Sequence, residues 1–301
     1  MQVPAPIKAV FDSVPLKTYP GTQDPSLAQL DFLEDQRFYF SGPSSGPATF
    51  TLAVHNLVKI NGKYCPSDPL TFAHCLSICQ KNNLKLPDGT STSGNCLFPL
   101  LYNASPDQLI PFLIEDTSAR ILAKETSDSP PVRTIRSVSE IDAAYATRLS
   151  LSPLAVVVDL LLDTLFYDLW VCALLTEALT DAIKRIFLVK ATLDITSNLF
   201  VSQLLHDLPS WRDFHTRHEA LFSEYPNVSR NRALILFYKA LIDQLKSLVP
   251  QLSSYMDSEP LLRPRIASFF VIVDKTLRDT SLHEAVQGEL LLSSQAVVEG
   301  F

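Results

Sequence analysis

Between Gln36 and Ile60 apolar and polar side chains alternate with a period of two, which predicts β-strands. The run RFYF (37–40) and a longer run that ends at Ile60 are separated by residues 41–47, a loop of glycine, proline and serine. We expect the two runs to form a hairpin or two adjacent strands. One face of the longer run is apolar apart from Asn56, so it should cover a core. Its members are Phe50, Leu52, Val54, Val58 and Ile60.

A helix is predicted after these strands. Asp68 before Pro69 is typical of an N-cap and a first helical position, because the aspartate side chain can accept a hydrogen bond from a free backbone N–H. We expect the helix to continue to about Asn82 and to stop before Pro87 and Gly89. Its apolar stripe consists of Phe72, Cys75, Leu76 and Cys79. Its opposite face carries Thr71, His74, Ser77 and Lys81.

Weaker strand signals follow in the first half. The runs 98–102 and 110–114 are short and apolar, and Pro111 stands where a strand needs no N–H donor. Residues 120–124 could form an edge strand. Residues 125–136 are rich in Ser, Asp, Thr and Pro, which favours an exposed connection.

Beyond Ser137 the apolar residues recur with a helical period, so the second half is predicted to be all helical. Arg263 and Pro264 mark the start of one helix, and Pro226 and Pro250 are expected to bound another. Three apolar stripes support this prediction. They are Trp211, Phe214, His218, Leu221, Phe222 and Tyr225; Ala233, Leu236, Phe237, Ala240 and Leu241; and Ile266, Phe269, Phe270, Val273 and Leu277.

The stretch from Leu154 to Leu175 has about the 20 apolar residues that a membrane span needs. It also contains Asp159, Asp163 and Asp168. Each aspartate in the middle of a membrane helix costs roughly 2.5 to 3.5 kcal/mol. We therefore expect a buried helix of a globular domain.

Together these elements predict an α+β fold, in which an N-terminal thioredoxin-like domain is followed by an all-helical domain. This is the glutathione-transferase-like arrangement. We expect residues 1–148 to hold an N-terminal extension and the thioredoxin-like domain, and residues 149–301 to form the helical domain. The fold does not fix the function, because the same plan can serve an enzyme or a docking protein.

Composition narrows the function classes. Of 301 residues, 47% are apolar and 19% charged, and the mean hydropathy is +0.14, which excludes disorder for most of the chain. The net charge of −7 and the pI of about 5.4 have the wrong sign for binding nucleic-acid phosphates. The eight glycines form no nucleotide-binding fingerprint, and we expect no cofactor.

Cys65, followed by Pro66, Ser67 and Asp68, is the strongest candidate for chemistry. It lies just before a predicted helix N-terminus, where a thioredoxin-like domain keeps its reactive thiol and where the helix dipole favours a thiolate. No second cysteine stands at redox spacing, and the charge of Asp68 opposes ionisation. A structural thiol is favoured. A thiol-dependent, glutathione-transferase-like enzyme that uses Cys65 is the alternative.

Two groups of possible metal ligands have a simpler interpretation. Cys75 and Cys79 lie on an apolar stripe, where cysteines act as small apolar side chains. His215 and His218 share a helix face with Trp211, which favours histidines at the edge of a core. No hydrolase motif is found, so we predict neither metal ligands nor catalytic residues.

The segment from Pro4 to Pro20 is apolar and stiffened by prolines, yet it precedes every strand signal. It should either wrap its own domain or bury Phe11, Leu16 and Tyr19 against a partner. The residues alone leave both alternatives open.

Four stretches of the chain, taken in order and with their spacing, are more specific than any single motif. They are the N-terminal run 4–20, the strand, loop and helix start from Leu52 to Pro69, the helix ending CQKNNLKLP (79–87), and LLDTLFYDLW (161–170). Together they resemble the fungal metaxin-like subunit of the mitochondrial sorting and assembly machinery (SAM). The resemblance extends over nearly the whole chain and is weak at residues 42–47 and after Asp279.

The resemblance implies a peripheral, non-enzymatic protein on the cytosolic face of the mitochondrial outer membrane. Its partners would be the β-barrel subunit of the machinery, which it would cap, a second metaxin-like subunit, the membrane surface, and β-barrel precursors whose C-terminal sorting signal it would help to bind. An exposed sheet edge could bind such a strand. For contact with the barrel subunit the resemblance points to the N-terminal run, with Phe11, Pro15, Leu16 and Tyr19.

Overall fold

The computed structural model describes residues 34–42, 48–100, 105, 107, 109–117, 132–149, 153–177, 180–187, 209–223 and 232–301. The chain divides into two compact units, Met1–Gln36 and Arg37–Phe301, and every element below belongs to the second. The class is α+β, as predicted. The strands are β1 (Phe38–Tyr39), β2 (Ala48–Val54), β3 (Leu57–Ile60), β4 (Lys63–Pro66), β5 (Cys96–Pro99), β6 (Phe112–Thr117) and β7 (Val132–Arg136). The helices are α1 (Pro69–Asn82), α2 (Val138–Leu149), α3 (Pro153–Thr176), α4 (Thr180–Phe187), α5 (Pro209–Arg217), α6 (Ala220–Ser223), α7 (Arg232–Ser258), α8 (Arg263–Thr276), α9 (Ser281–Val286) and α10 (Glu289–Gly300).

The main sheet has five strands in the order β1-β5-β2-β6-β7. β2 is parallel to β5, and the other neighbouring pairs are antiparallel. Because β5 lies between β1 and β2, the hairpin predicted from these two runs is wrong. β6 begins directly after the cis peptide bond between Ile110 and Pro111, where the sequence predicted a strand with a proline at its start.

The long run before Ile60 forms two strands, although one was predicted. At the break, the Oδ1 atom of Asn56 accepts a hydrogen bond of 2.7 Å from the N–H of Leu57. Such local side-chain bonds compete with a strand ladder. β3 then pairs with β4 in a separate two-stranded sheet, in which Leu57 lies opposite Pro66 and Ile60 opposite Lys63.

α1 begins and ends where the sequence predicts. The Oδ1 atom of Asp68 accepts a hydrogen bond of 2.8 Å from the N–H of Thr71, and Asn83 ends the helix in the left-handed region with φ of 52°. Thr71 and His74, predicted to lie opposite the apolar stripe, are buried as well, and α8 packs against this helix. α1 is therefore enclosed on more than one side. The predicted stripe of Phe72, Cys75, Leu76 and Cys79 is fully buried.

β7 corrects the prediction of an exposed connection at residues 125–136. Residues 132–136 pair with β6 as an antiparallel strand, with Val132 opposite Thr117 and Arg136 opposite Leu113. The strand is polar because it lies at a sheet edge with its side chains exposed to solvent. Residues 118–131, including the predicted strand at 120–124, lie outside the described residues.

Every described element after Ser137 is a helix, as predicted. α3 contains the apolar stretch from Leu154 to Leu175, and it is buried along most of its second half. Within the described part of the chain, no helix is both long enough and apolar enough to span a membrane. The large buried side chains of α3 are Leu162, Leu165, Phe166, Leu169 and Trp170.

α7 differs from the prediction in two ways. Pro250 lies inside the helix and is exposed, and the apolar face continues beyond it to buried Leu252 and Met256. A proline removes one helical hydrogen bond and need not end a helix whose later turns are held by packing. The buried face consists of Leu234, Tyr238, Leu241, Ile242 and Leu245, whereas the predicted Ala233, Leu236 and Ala240 are exposed.

The other two helical stripes agree with the prediction where the structure describes them. Trp211 and Phe214 are buried, and Leu221 packs against the helical core. Tyr225 and Pro226 lie outside the described residues. The stripe of α8 is fully buried and consists of Ile266, Phe269, Phe270, Val273 and Leu277.

Two main apolar clusters hold the fold together. The larger one is built from the helices of the second half. The other joins the sheet and α1 to helices that come much later in the chain. Its members include Leu52, Phe72, Leu76 and Leu97 together with Ala267, Val271 and Ile272 of α8 and Val298 of α10. The core around the sheet is thus completed by late helices. The domain boundary at residue 148 stays a prediction.

Candidate functional site

Cys65 lies in β4, three residues before the N-cap of α1, and its side chain is fully buried. Its Sγ atom is 3.9 Å from the carbonyl oxygen of Lys63. Burial, reinforced by the nearby Cys79, raises the pKa of the Cys65 thiol. The sequence analysis expected the charge of Asp68 to oppose ionisation of this thiol, but the main cause of the raised pKa is desolvation by burial. A buried, protonated thiol does not have the exposure or the thiolate character of a nucleophile.

The N-terminal end of α1 is covered by α4 from the second half. The hydroxyl of Ser67 donates a buried hydrogen bond of 2.9 Å to the carbonyl oxygen of Ile186. The rings of His55 and Phe187 meet edge to face at 5.2 Å. Burial lowers the pKa of His55 to about 4, so this imidazole is neutral near pH 7. The segment just before α1 is therefore packed against α4.

His215 and His218, two of the candidate metal ligands, have different partners. Within the described residues, no group of three or more His, Cys, Asp or Glu side chains could hold a metal ion. His215 is exposed and near the ring of Trp211, whereas the Nε2 atom of His218 lies 2.7 Å from the Oδ2 atom of Asp168. Arg217 pairs with the other oxygen of the same carboxylate. The two histidines therefore have separate roles at the edge of the core.

A buried ion-pair cluster joins α3 to α8, and the sequence analysis did not predict it. Arg265 of α8 is 5% exposed, and its Nε atom lies 2.9 Å from the Oδ1 atom of Asp159. The same guanidinium contacts Asp163 and lies 4.9 Å above the ring of Tyr145. Burial raises the pKa of Asp159, against the opposing charge of Arg265. Two of the three aspartates of α3 thus share one arginine as their counter-ion, and Asp168 is paired with Arg217 and His218.

A second polar contact lies beside this cluster. The Nε2 atom of buried His74 in α1 is 3.2 Å from the Oδ1 atom of Asp142 in α2. Burial of Asp142 opposes its ionisation, but His74 and Arg265 together lower its pKa. α1, α2, α3 and α8 are therefore connected by polar contacts between side chains as well as by apolar packing.

A cleft of about 280 Å³ opens between α1, α2 and the strands β6 and β7. Its surface is mainly apolar, and its charged groups are largely engaged. The Nε atom of Arg136 donates to Glu115 at 2.6 Å, and Glu140 accepts a hydrogen bond from the N–H of Ser137. The cleft can accept apolar groups but presents no set of catalytic side chains. Its lining includes His74, Ile78, Lys81, Leu113, Ile141 and Tyr145.

Two further surfaces of this unit are open to a partner. α3 exposes Leu154, Val157 and Leu160 at helical spacing on its first turns. β7 is the outer strand of the sheet, and its described side chains, from Arg133 to Arg136, are all exposed. The sequence analysis missed this edge because polar residues at 125–136 were interpreted as a connection. The predicted contact residues Phe11, Pro15, Leu16 and Tyr19 lie outside the described residues.

Comparison with known proteins confirms the resemblance inferred from the sequence. Residues 1–115 match the model of the SAM35 family, described as a subunit of the SAM complex. Over 321 residues the chain is 23% identical to the Sorting assembly machinery 35 kDa subunit of Saccharomyces cerevisiae. This similarity covers 95% of the chain and 93% of the yeast protein.

Proposed function

We propose that the chain is a subunit of the SAM complex, which places it at the mitochondrial outer membrane in the assembly and insertion of β-barrel proteins. The observation that carries the proposal is the similarity to the yeast 35 kDa subunit, which extends over 95% of the chain. The family match to residues 1–115 adds to it, because that range includes the N-terminal run that led to the resemblance.

In the finer form of this proposal, the protein is peripheral, caps the β-barrel subunit on the cytosolic side, and lies beside a second metaxin-like subunit. It contacts the membrane surface and helps to bind the C-terminal sorting signal of β-barrel precursors. It acts by offering surfaces and performs no catalysis. The buried, protonated state of Cys65 supports a non-enzymatic role over that of a thiol-dependent transferase.

We also propose that the fold is glutathione-transferase-like. Four strands in the order β5-β2-β6-β7, with β2 parallel to β5 and α1 in the connection between them, are what a thioredoxin-like domain requires. The antiparallel pair β6 and β7 completes the sheet, and helices follow it in the chain. The two-part division near residue 148 is part of this proposal.

The subunit role is tested by purifying the tagged full chain from mitochondria solubilised in a mild detergent. We expect an outer-membrane β-barrel protein to co-purify with it. Replacing Phe11 and Leu16 together by aspartate should release the barrel protein, because apolar contacts would be lost, whereas Ala5→Asp in the same segment should retain it. A wild-type chain that never co-purifies with an outer-membrane barrel would contradict the proposal.

Signal recognition has its own test. Radiolabelled β-barrel precursors with an intact C-terminal strand should crosslink to the chain in isolated mitochondria. The control is a precursor whose last strand has the same residues in scrambled order. Equal crosslinking of the two precursors would contradict a role in binding the sorting signal.

A further inference from the structure

We infer that the free edge of β7 binds an extended, amphipathic peptide strand, which adds to the sheet as a further strand. The inference rests on the proposed function, because the natural ligand would then be the last strand of a β-barrel precursor. What it adds is the location, the register and the side-chain preference of the site, each of which follows from the edge strand itself.

Among the described residues, no strand pairs with the outer side of β7. Along its inner side β7 pairs with β6 over five residues, from Val132 opposite Thr117 to Arg136 opposite Leu113. In an antiparallel strand alternate residues direct their N–H and C=O groups to opposite sides. Within the described part of the chain, no hydrogen bond reaches β7 from its outer side. A row of backbone donors and acceptors is therefore available to a ligand.

The opposite edge of the sheet does not offer this. β1 has two residues, and Tyr39 is buried. Just beyond it, Ser41 and Lys85 exchange two backbone hydrogen bonds, of 3.1 and 2.6 Å, which occupy the ladder. Among the described strands of the main sheet, β7 is thus the outer strand that is long enough and free enough to accept another chain.

The charged side chains of β7 do not block the pairing of another strand with this edge. Natural edge strands are often protected from pairing by charged residues that project from them. Here the guanidinium of Arg133 binds both oxygens of Asp116, at 2.7 and 3.1 Å, and Arg136 binds Glu115 at 2.6 Å. Both arginines are drawn towards β6, so they neutralise its carboxylates and leave the outer backbone accessible.

The side chains also define what kind of strand fits. Ile135 is 39% exposed and lies opposite Ile114 of β6. Arg133 lies on the same face two residues away, with 65% of its side chain exposed. A strand added beside β7 would therefore place an apolar side chain next to Ile135 and an acidic or hydrogen-bond-accepting one next to Arg133. Main-chain bonds would supply affinity, and these two neighbours would supply selectivity.

The cysteines of the chain make a direct test possible. All five, Cys65, Cys75, Cys79, Cys96 and Cys172, are buried. A Thr134→Cys variant therefore has one exposed thiol, in the middle of the edge. The probe is a synthetic amphipathic peptide of about ten residues, made as a series with one cysteine at successive positions. We expect disulfide crosslinking to the full-length variant to alternate along the peptide with a period of two, as a strand in register requires.

A second measurement compares affinities of the cysteine-free peptide. Ile135→Lys should weaken its binding by roughly tenfold or more, because it removes the apolar neighbour and adds a charge at the edge. The control is Leu292→Lys on α10, where an exposed leucine away from the sheet edge is replaced; it should bind as the wild type does. A peptide of the same composition with its apolar residues grouped together should bind weakly to all three proteins.

The inference is overturned if Ile135→Lys binds as tightly as the wild type, if both lysine variants lose binding equally, or if crosslinking shows no alternation. Failure here is distinct from failure of the proposed function. Co-purification with the outer-membrane barrel uses other surfaces and should be unchanged in Ile135→Lys. If co-purification persists while the edge fails to bind, the SAM role stands and the location of the strand site is wrong.

Discussion

The Nε atom of Arg265 lies 2.9 Å from the Oδ1 atom of Asp159, and this contact joins α8 to α3 inside the core. Arg265 also contacts Asp163, and its guanidinium lies over the ring of Tyr145. One buried cation is thus shared by two carboxylates of a mainly apolar helix. Aspartates would be unfavourable in a membrane helix of this apolar length. In the folded core they are tolerated, because Arg265 lies beside two of them.

Removing the positive charge of Arg265 should lower the free energy of unfolding. Arg265→Met leaves Asp159 and Asp163 without their partner, and breaking a buried ion pair destabilises a protein by about 3 to 5 kcal/mol. Urea unfolding followed by circular dichroism measures the change. Arg133→Met is the matched control, because it breaks an exposed pair with Asp116 and should cost less than about 1 kcal/mol. Equal losses in the two variants would show that the buried cluster does not stabilise the core.

The half-buried His55 predicts a pH dependence of stability. Its pKa is lowered from 6.5 to about 4 in the folded chain by burial. The unfolded chain therefore binds the extra proton first, so stability is fully present above pH 6.5 and is lost as the pH falls towards 4. The loss from this group is about 3 kcal/mol. Urea unfolding of His55→Leu between about pH 7 and 4 should show a correspondingly weaker dependence. An unchanged dependence would mean that another group causes it.

The cap of α1 predicts different effects for two substitutions at one position. Asp68→Ala removes the acceptor for the N–H of Thr71 and should lower stability by about 1 kcal/mol. Asp68→Asn keeps an accepting oxygen and removes a carboxyl whose pKa burial raises, so it should stay within about 0.5 kcal/mol of the wild type. Thermal or urea unfolding of the two variants checks this. If both lose the same stability, the charge of Asp68 matters more than its hydrogen bond.

The burial of all five cysteines predicts slow thiol chemistry. In the native protein an aromatic disulfide reagent should react with none of them rapidly, whereas all five should react in urea. The burial that raises the pKa of the Cys65 thiol is the physical reason. A rapidly reacting native thiol that disappears in Cys65→Ser, together with turnover of an aryl halide, would restore the transferase alternative.

The sequence predicted α1 closely because its signals are local. The cap at Asp68, the proline at position 69 and the stripe from Phe72 to Cys79 all act within one helix. The pairing of strands is different, since it depends on residues far away in the chain. Nothing near β1 or β2 indicates that β5 will be inserted between them, so the adjacent pairing predicted from sequence proximity was wrong.

The errors in α7 and β7 have other physical causes. Apolar residues occur on more than one side of α7, so the sequence fits two different choices of its buried face. Only packing against the neighbouring helices selects the face with Leu234 and Leu245. Pro250 was interpreted as the end of the helix because proline usually breaks a helix. The packing that holds the later turns cannot be read from the residues next to it. β7 was missed because its two apolar residues, Val132 and Ile135, are three positions apart and so do not alternate with a period of two. The Arg265 cluster requires contacts between α3 and α8, which periodicity cannot reveal.

The position of α8 in the core around the sheet also affects how the chain can be made. Ala267, Val271 and Ile272 pack with Phe72 and its neighbours, so the apolar face of the N-terminal half has no complete cover until this helix has been synthesised. On the ribosome the sheet must wait for nearly nine-tenths of the polypeptide to emerge. A nascent chain stalled before residue 263 should therefore remain protease-sensitive and should recruit chaperones, whereas the full-length chain, which also carries Val298 of this core, can close it.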